Sequence, residues 1–249
     1  MRKQQCLSWS RRALLAGSGA LVLLAGLRPV RALAQASGEK LRIGVIGSGN
    51  IGGTIGRLWV KAGHPVLFSS RHPDRLKDMV AELGPLARSG TVSDAIAFGD
   101  ALLVAIPYGA LPQLGRDHAA ELKGKVVLDA GNASPARDGA SIAAEVERDG
   151  IGATSQRYLA ETRLVRAFNT LSYAIFAREA NRPDPKLAIP IAGDDPEAVS
   201  VAAQLVRDAG FDPVVVGKLA DARRFQRGEP GYGQAVSAAE LRQKLSLTP

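Results

Sequence analysis

Short strand-like runs alternate with stretches of helical periodicity along most of the chain. Continuous apolar runs are typical of parallel strands covered on both faces, whereas apolar residues three and four apart are typical of amphipathic helices. Strands are predicted at residues 41–46, 65–69, 86–91, 101–106, 125–129, 163–168, 187–192 and 213–216. Helices are predicted at residues 50–62, 74–83, 93–98, 111–122, 141–148, 196–209 and 238–245. This alternation predicts an α/β fold with a Rossmann-type, doubly wound and mostly parallel sheet.

The pattern of strand, helix and strand restarts at Pro185, and we interpret it as a second βαβ unit that extends the same sheet. Pro190 lies inside the strand predicted at 187–192 and cannot donate a backbone hydrogen bond, so it predicts an edge position or a bulge. Residues 217–249 are predicted to form a small C-terminal extension. Its arginines are interpreted as a solvated face, with contact to an anionic substrate as the alternative: Arg223, Arg224 and Arg227.

The first 34 residues are predicted to be a twin-arginine export signal. The Arg11-Arg12 pair precedes the uncharged, apolar residues 13–27, which are too few for an ordinary membrane span and suit a signal peptide. Residues 32–34 supply an A-x-A cleavage site. Cleavage after Ala34 would leave residues 35–249 as one Rossmann-type domain. Export by the twin-arginine pathway would place this domain in the periplasm or outside the cell. An uncleaved N-terminal anchor is the alternative.

Removing the signal changes the charge balance. The chain of 249 residues has a net charge of +8, and the signal holds six basic residues and no acidic one, which leaves +2. That balance does not predict a nucleic-acid partner. Cys6 is the one cysteine and lies in the signal, and the three histidines are scattered, so no metal site is predicted. No later stretch has the length and apolarity of a membrane span.

A glycine fingerprint follows the first predicted strand and opens the first predicted helix. Gly47 would allow the tight turn out of the strand, Gly49 would let a pyrophosphate approach the backbone, and Gly52 would let the helix pack on the sheet. The helix N-terminus would present free N–H groups and a positive dipole end to phosphates. The order of strand, glycines and helix predicts a dinucleotide-binding site, with a glycine-rich turn of another α/β fold as the alternative.

The end of the second predicted strand indicates which dinucleotide binds. NAD-binding units carry an acidic residue about twenty positions after the glycines, where it bonds the ribose 2′-hydroxyl. Here the corresponding residues include Ser70, Arg71 and Arg75. A hydroxyl and guanidinium groups attract the 2′-phosphate that a carboxylate would repel. The sequence therefore favours NADP(H) over NAD(H), with ordinary solvated charge as the alternative for the two arginines.

Residues that follow the later strands are candidates for contact with a nicotinamide ring, because open α/β sheets bind ligands at the carboxyl ends of their strands. Tyr108 could shield such a ring or could simply pack in the core. Gly131 would let the ring approach the backbone. Asn169 and Thr170 suit a carboxamide or substrate pocket, and they equally suit a helix cap.

Several motifs occur in an order that resembles a known family. They are the fingerprint at 47–52, the Ser70-Arg71 pair, Ile106-Pro107 after a strand, and the Ala-Gly-Asp-Asp turn at 192–195. So ordered, they resemble the NADPH-dependent reductases of the deazaflavin coenzyme F420 and the related cytosolic oxidoreductase domains of six-transmembrane metalloreductases. The resemblance extends over residues 41–216 and is weaker beyond them.

The resemblance implies hydride transfer between NADP(H) and a deazaflavin or flavin, with Ser70, Arg71 and Arg75 at the 2′-phosphate. It implies backbone N–H contacts to the pyrophosphate from Ser48, Asn50 and Ile51. It implies that the following residues lie near the nicotinamide: Ile106, Pro107, Ala167, Asn169 and Thr170. Such chemistry needs no catalytic acid, base or metal from the protein, because the cofactors carry the hydride. The resemblance also implies a homodimer in which the C-terminal segments of the two chains form the contact.

The electron acceptor stays open at this point between a deazaflavin, a flavin and a ferric chelate. A carbonyl or imine reductase on the same fold would need a proton donor, for which Tyr108 and Tyr173 are the candidates. A non-catalytic NADP(H)-binding protein is the third hypothesis. Because twin-arginine export carries folded proteins, a tightly held NADP(H) that is recycled in place is a further expectation.

Overall fold

A computed structural model describes residues 40–247, so the predicted signal at 1–34 lies outside the described residues. The strands are β1 Ile43–Ile46, β2 Val66–Ser69, β3 Ala87–Gly90, β4 Ala101–Val104, β5 Val126–Asp129, β6 Arg163–Arg166, β7 Ala188–Gly193 and β8 Asp212–Gly217. They form one eight-stranded sheet in the order β3-β2-β1-β4-β5-β6-β7-β8. The α/β class and the Rossmann-type strand order are confirmed.

The helices are α1 Asn50–Lys61, α2 Lys77–Leu83, α3 Val92–Phe98, α4 Leu111–Asp117, α5 Ala119–Leu122, α6 Pro135–Asp138, α7 Ala140–Asp149, α8 Ile151–Tyr158, α9 Tyr173–Glu179, α10 Pro196–Asp208 and α11 Ala238–Lys244. Segments of 3-10 helix occupy Pro73–Leu76, Tyr108–Ala110 and Leu219–Phe225. The sequence did not predict α6, α8 or α9. The helix predicted at 111–122 is divided at His118, which leaves helical geometry with ψ 22°. No helix within residues 40–247 has the length and apolarity needed to cross a membrane.

Strand direction divides the sheet into two parts. Strands β1 to β6 are parallel, β7 runs antiparallel to β6, and β8 is parallel to β7. The predicted second βαβ unit, β7-α10-β8, therefore extends the sheet in the reverse direction. The carboxyl ends of β1, β4, β5 and β6 stay together at one edge, where an open α/β sheet binds its ligands.

Pro190 is tolerated because β6 and β7 pair only over a short length. Their contact consists of Val165 with Gly193 and Arg166 with Ala192, so β6 does not reach Pro190. The strand is interior, and the expectation of an edge position was wrong. The register between β7 and β8 shifts between Ile191 and Ala192, which confirms the expected irregularity next to the proline.

Apolar side chains pack on both faces of the sheet. One face of the sheet meets α1, α9 and α10, where Trp59 is fully buried and donates from Nε1 to the Leu205 carbonyl oxygen at 2.7 Å. The other face meets α3, α4, α8 and α11. Phe225 and Leu241 belong to this second layer, so the C-terminal segment packs onto the same sheet. The sheet is thus fixed from both sides, and its carboxyl edge is a rigid platform.

Asp195 joins the sheet to the start of α10. Its carboxylate caps the helix by accepting from the backbone N–H groups of Glu197 at 2.9 Å and Ala198 at 3.1 Å. Arg163 of β6 donates to the same carboxylate from two nitrogens, at 2.6 and 2.9 Å. The hydrogen bond from Arg163 lowers the pKa of Asp195 to about 2, against the opposing effect of partial burial.

We expect Asp195→Ala to lower the free energy of unfolding by about 0.5–2 kcal/mol, the usual loss for an N-cap residue. Asp195→Asn is the matched control, since asparagine caps equally well but carries no charge for Arg163. Because the carboxyl pKa is lower in the folded state, its charge stabilises above the unfolded pKa of about 4 and loses this effect as the pH falls through 2. The advantage of the native chain over Asp195→Asn in urea unfolding should therefore shrink between pH 4 and pH 2. A difference that does not change with pH would contradict this.

Candidate functional site

The glycine turn between β1 and α1 is closely packed at two positions and open at the third. Gly47 has a φ of 94°, and a Cβ there would lie 2.7 Å from the Ala105 carbonyl oxygen. A Cβ on Gly52 would lie 2.0 Å from the Gly47 carbonyl oxygen. A Cβ on Gly49 would meet nothing within 4 Å. Gly47 and Gly52 are therefore required by packing, and Gly49 faces the space that a ligand could enter.

The N-terminus of α1 presents free donors to that space. Gly49 caps the helix without a side-chain hydrogen bond, and the first turn holds no acidic residue. The N–H groups of Asn50, Ile51 and Gly52 donate to no acceptor among residues 40–247. Such a helix start attracts anions through its free N–H groups and its dipole. This geometry fits the expectation for Asn50 and Ile51.

The backbone N–H of Ser48 already has a partner within the chain. Its backbone N–H donates to the carbonyl oxygen of Ser69 at 3.2 Å, and its hydroxyl donates to the same oxygen at 3.0 Å. The N–H therefore serves to join the glycine turn to the end of β2. Contact between this N–H and a pyrophosphate therefore stays a prediction, and it would require the bond to Ser69 to be shared or broken.

The segment after β2 carries positive charge without an acidic partner. Arg71 and Arg75 are exposed, and neither forms an ion pair within the described part of the chain. Asp74, which lies between them, pairs instead with Lys77 at 2.7 Å. The Ser70 hydroxyl accepts from the backbone N–H of His72 at 3.1 Å, so its own proton remains available for donation. Three donor groups are thus gathered next to the glycine turn.

A cavity of about 640 Å³ opens at the carboxyl edge of the sheet. Its wall comes from the start of α1 and from the segments that follow β4, β5 and β6. Six of the residues predicted for the site line it: Asn50, Ile51, Ile106, Pro107, Asn169 and Thr170. The other predicted residues do not line the cavity. Ala167 is buried in the core, and the rest lie around the glycine turn and the end of β2.

Ala167 was predicted at the nicotinamide and does not line the cavity. It is fully buried in the core, and its backbone N–H donates to the Asp129 carbonyl oxygen at 3.2 Å. Phe168, the next residue, lines the cavity and adopts a φ of 59°. This left-handed residue ends the strand alternation, so the side that faces the cavity could not be inferred from the strand pattern.

Asn169 lies at the cavity with one oxygen unpaired. The residue is 3% exposed, and its Nδ2 donates to the Phe225 carbonyl oxygen at 3.3 Å and to Asn132 Oδ1 at 3.4 Å. Its Oδ1 has no hydrogen-bond partner within residues 40–247. A buried oxygen without a donor is costly unless a ligand or water supplies one. Asn132 fixes the same loop by donating from Nδ2 to the Asn169 carbonyl oxygen at 2.6 Å.

A buried ion pair lies beneath the cavity. Arg166 and Asp129 are both fully buried, and the Arg166 guanidinium donates to Asp129 Oδ2 and to the Gly131 carbonyl oxygen. Asp129 Oδ1 accepts from the backbone N–H of Gly131 at 2.8 Å. The pair therefore fixes the backbone of Gly131, which lines the cavity. The sequence did not predict this pair, although Asp129 ends one predicted strand, Arg166 lies inside the next, and the two are paired in register.

The tyrosines have other positions than the sequence suggested. Tyr108 is fully buried, its hydroxyl lies 2.9 Å from Ser155 Oγ, and burial raises its pKa. Tyr173 is 45% exposed, and neither tyrosine lines the cavity. Tyr232 does line it, and the Arg227 guanidinium lies 5.6 Å from the centre of its ring. The packing alternative for Tyr108 is therefore the one that the structure supports.

The C-terminal arginines divide into two groups. Arg223 and Arg224 donate to the backbone carbonyl oxygens of Glu147 and Leu245. Arg227 is exposed at the cavity. Arg223 remains exposed, as interpreted, whereas Arg224 is half-buried and does not belong to a solvated face. Within residues 40–247, no group of three or more potential metal ligands is present.

Comparison with known proteins confirms the resemblance. Residues 42–133 match the family model of the coenzyme F420-dependent NADP oxidoreductases. Metalloreductase STEAP3 of Rattus norvegicus is 27% identical over 201 residues, which cover 78% of this chain and 37% of that protein. The protein YjhV of Escherichia coli (strain K12) is 49% identical over 62 residues, 25% of this chain and 45% of that one. The chain thus spans less than half the length of these curated relatives.

Solved structures confirm the fold. The hypothetical protein SMa0349 from Sinorhizobium meliloti has a TM-score of 0.69 and 24% identity, over 83% of this chain and 98% of that one. A structure from Arthrobacter sp. FB24, described as an F420-dependent NADP-reductase, has a TM-score of 0.61 and 22% identity, over 74% and 88%. An imine reductase from Myxococcus stipitatus, in complex with NADP+, has a TM-score of 0.54 and 19% identity, over 74% and 57%. The matching family model and two of these structures are described as NADP-dependent oxidoreductases or reductases, and the structural matches confirm the fold of this chain.

Proposed function

We propose that the chain is an exported oxidoreductase that transfers hydride between NADPH and a deazaflavin, flavin or similar acceptor. The observation that carries the choice of NADP(H) is the pair of guanidinium groups after β2. Arg71 and Arg75 are exposed and have no acidic partner among the described residues. They stand where NAD-binding units place a carboxylate, and arginine binds a phosphate with parallel hydrogen bonds.

The start of α1 would receive the pyrophosphate. Three consecutive N–H groups, from Asn50 to Gly52, have no acceptor in the described part of the chain, and Gly49 leaves the approach open. Helix α1 and strand β2 separate this helix start from Ser70 in the sequence. Strand β2 pairs directly with β1, so the end of β2 lies beside the glycine turn that follows β1. The pyrophosphate and the 2′-phosphate would therefore be bound by the segments that follow two adjacent strands of one sheet.

The cavity at the carboxyl edge would receive the nicotinamide. The unpaired Oδ1 of Asn169 is an acceptor of the kind that the carboxamide N–H of a nicotinamide needs. Apolar walls suit the ring itself, and Ile106 and Pro107 provide them on one side. The orphaned oxygen and the open position at Gly49 are the two features of this structure that fit a bound dinucleotide.

The protein's share in such chemistry is positioning. When bound, NADPH supplies a hydride from its nicotinamide ring, and an acceptor ring takes the hydride together with a proton from water. The buried Arg166–Asp129 pair holds the Gly131 backbone at the cavity wall. Asn132 holds the Asn169 loop beside it. Such fixed walls lower the entropy cost of bringing two rings together.

A carbonyl or imine reductase is the less favoured alternative. Its proton donor was expected at Tyr108 or Tyr173, and neither lines the cavity. Burial raises the pKa of Tyr108 and its hydroxyl is already bonded to Ser155. Tyr232 is the tyrosine that lines the cavity within the described residues, and a flavin-like acceptor, which takes its proton from solvent, would not need it.

Arg71→Ala should weaken the binding of NADP+ far more than that of NAD+. Loss of one charge-assisted hydrogen bond costs about 1.5–3 kcal/mol, which is about 10- to 100-fold in the dissociation constant. Titration calorimetry of both nucleotides measures it. Arg116→Ala, which removes an exposed arginine of α4, is the control and should change neither affinity. An equal loss for both nucleotides in Arg71→Ala would sink the 2′-phosphate assignment.

Asn169→Ala should weaken NADP+ but leave the affinity for 2′-phospho-ADP-ribose unchanged, because the latter lacks the nicotinamide. We expect about a 5- to 20-fold loss for NADP+, as for one hydrogen bond to a buried group. A general disturbance of the fold would affect both ligands, so the ratio of the two affinities is the readout. Parallel losses would show that Asn169 does not contact the carboxamide.

We also infer that the folded chain is exported by the twin-arginine machinery, on the sequence of residues 1–34. Protein recovered from outside the cytoplasm should begin at Gln35, as N-terminal sequencing would show. It should oxidise NADPH with at least one member of a panel of deazaflavin, flavin and ferric chelate acceptors. Tight NADP(H) binding without turnover on the whole panel would favour a non-catalytic binding protein instead.

A further inference from the structure

A second cavity, of about 400 Å³, lies between α7 and the segment that follows the 3-10 helix Leu219–Phe225. Small side chains of α7 form one wall: Ala140, Ala143 and Ala144. Asn132 and Arg227 line both this cavity and the larger one, so the two are neighbours. No role in the nucleotide site described above uses this space.

Gln226 brings a specific polar group to the second cavity. The residue is 4% exposed and lines the wall. Its Oε1 accepts from the backbone N–H of Ile151 at 3.1 Å, which fixes the orientation of the carboxamide. Its Nε2 donates to no acceptor within residues 40–247. An amide donor that is held in place and has no partner among the described residues is suited to a carbonyl oxygen of a ligand.

The walls define the shape of the ligand that would fit. The three alanines leave a smooth apolar surface, and Val146 and Ile151 add to it. A flat ring system can lie against such a surface and bury its faces. Glu147 and Arg227, of opposite charge, both line the cavity, so the site does not select a strongly charged group.

We propose that this second cavity is the acceptor subsite, and that it takes part of a flat heterocycle whose ring carbonyl oxygen accepts from Gln226 Nε2. The inference rests on the proposed function, because the nicotinamide then occupies the larger cavity. An acceptor that meets the nicotinamide near Asn132 extends past Arg227 into the second cavity. The residues that select the acceptor are thus on α7 and at Gln226, outside the matched family segment at 42–133.

Riboflavin, a neutral flat heterocycle with ring carbonyls, is the probe. Its fluorescence is followed while NADP+-loaded protein is added. Ala143→Phe fills the cavity, and Gln226→Glu keeps an oxygen for the Ile151 N–H while replacing the free donor. Each should weaken riboflavin binding at least about tenfold, as expected for loss of a buried hydrogen bond or of its space. Both should bind NADP+ as the native chain does.

Ala153→Phe is the matched control, because Ala153 is exposed on α8 and lines neither cavity. It should bind riboflavin like the native chain. Native affinity for riboflavin in both Ala143→Phe and Gln226→Glu would overturn the subsite while leaving the NADP(H) assignment intact. Failure of the NADP+-loaded native chain to bind riboflavin would also overturn it. A native chain that does not bind NADP+ would refute the proposed function, and the subsite with it.

Discussion

Arg166 and Asp129 are the last residues of two neighbouring parallel strands, and both are completely buried. Removing water from both charges is costly. Part of this cost is offset by the Gly131 backbone, whose N–H donates to Asp129 and whose carbonyl oxygen accepts from Arg166. Loss of one partner would leave a buried charge and cost about 3–5 kcal/mol. The pair joins β5 to β6 where the cavity begins, so the shape of the cavity wall depends on it.

From that point the site is assembled by strand direction. The carboxyl ends of β1, β4, β5 and β6 lie at one edge because these strands are parallel, and the loops that follow them meet there. The reversal at β7 ends this series, and the chain then returns to the same edge through the C-terminal segment. Gly233 makes the connection by donating its N–H to the Thr170 carbonyl oxygen at 3.0 Å. Tyr232 and Arg227 reach the cavity in this way.

The part of the site that is local in sequence could be predicted. The glycine turn and the Ser70-Arg71 pair are each formed by residues that are close together in the sequence. Their position directly after a predicted strand was enough to predict where they lie in the fold. Phe168, and not the predicted Ala167, lines the cavity because Phe168 leaves the strand conformation, which no alternation of apolar residues reveals. Helix α8 was missed because Gly152 weakens its helical pattern, yet a Cβ there would lie 2.0 Å from the Leu219 carbonyl oxygen. Contacts across long sequence separations, such as Tyr232 at the cavity, have no local signal at all.

The central claim is that Ser70, Arg71 and Arg75 hold a 2′-phosphate while Asn169 holds the carboxamide of the nicotinamide. A crystal structure of the chain with NADP+ tests this most directly. We expect the 2′-phosphate within about 3 Å of the Arg71 guanidinium, the usual length of a charge-assisted hydrogen bond, and the carboxamide nitrogen at Asn169 Oδ1. A 2′-phosphate that points into solvent, or one that lies at Arg227 with the nucleotide reversed, would contradict the account.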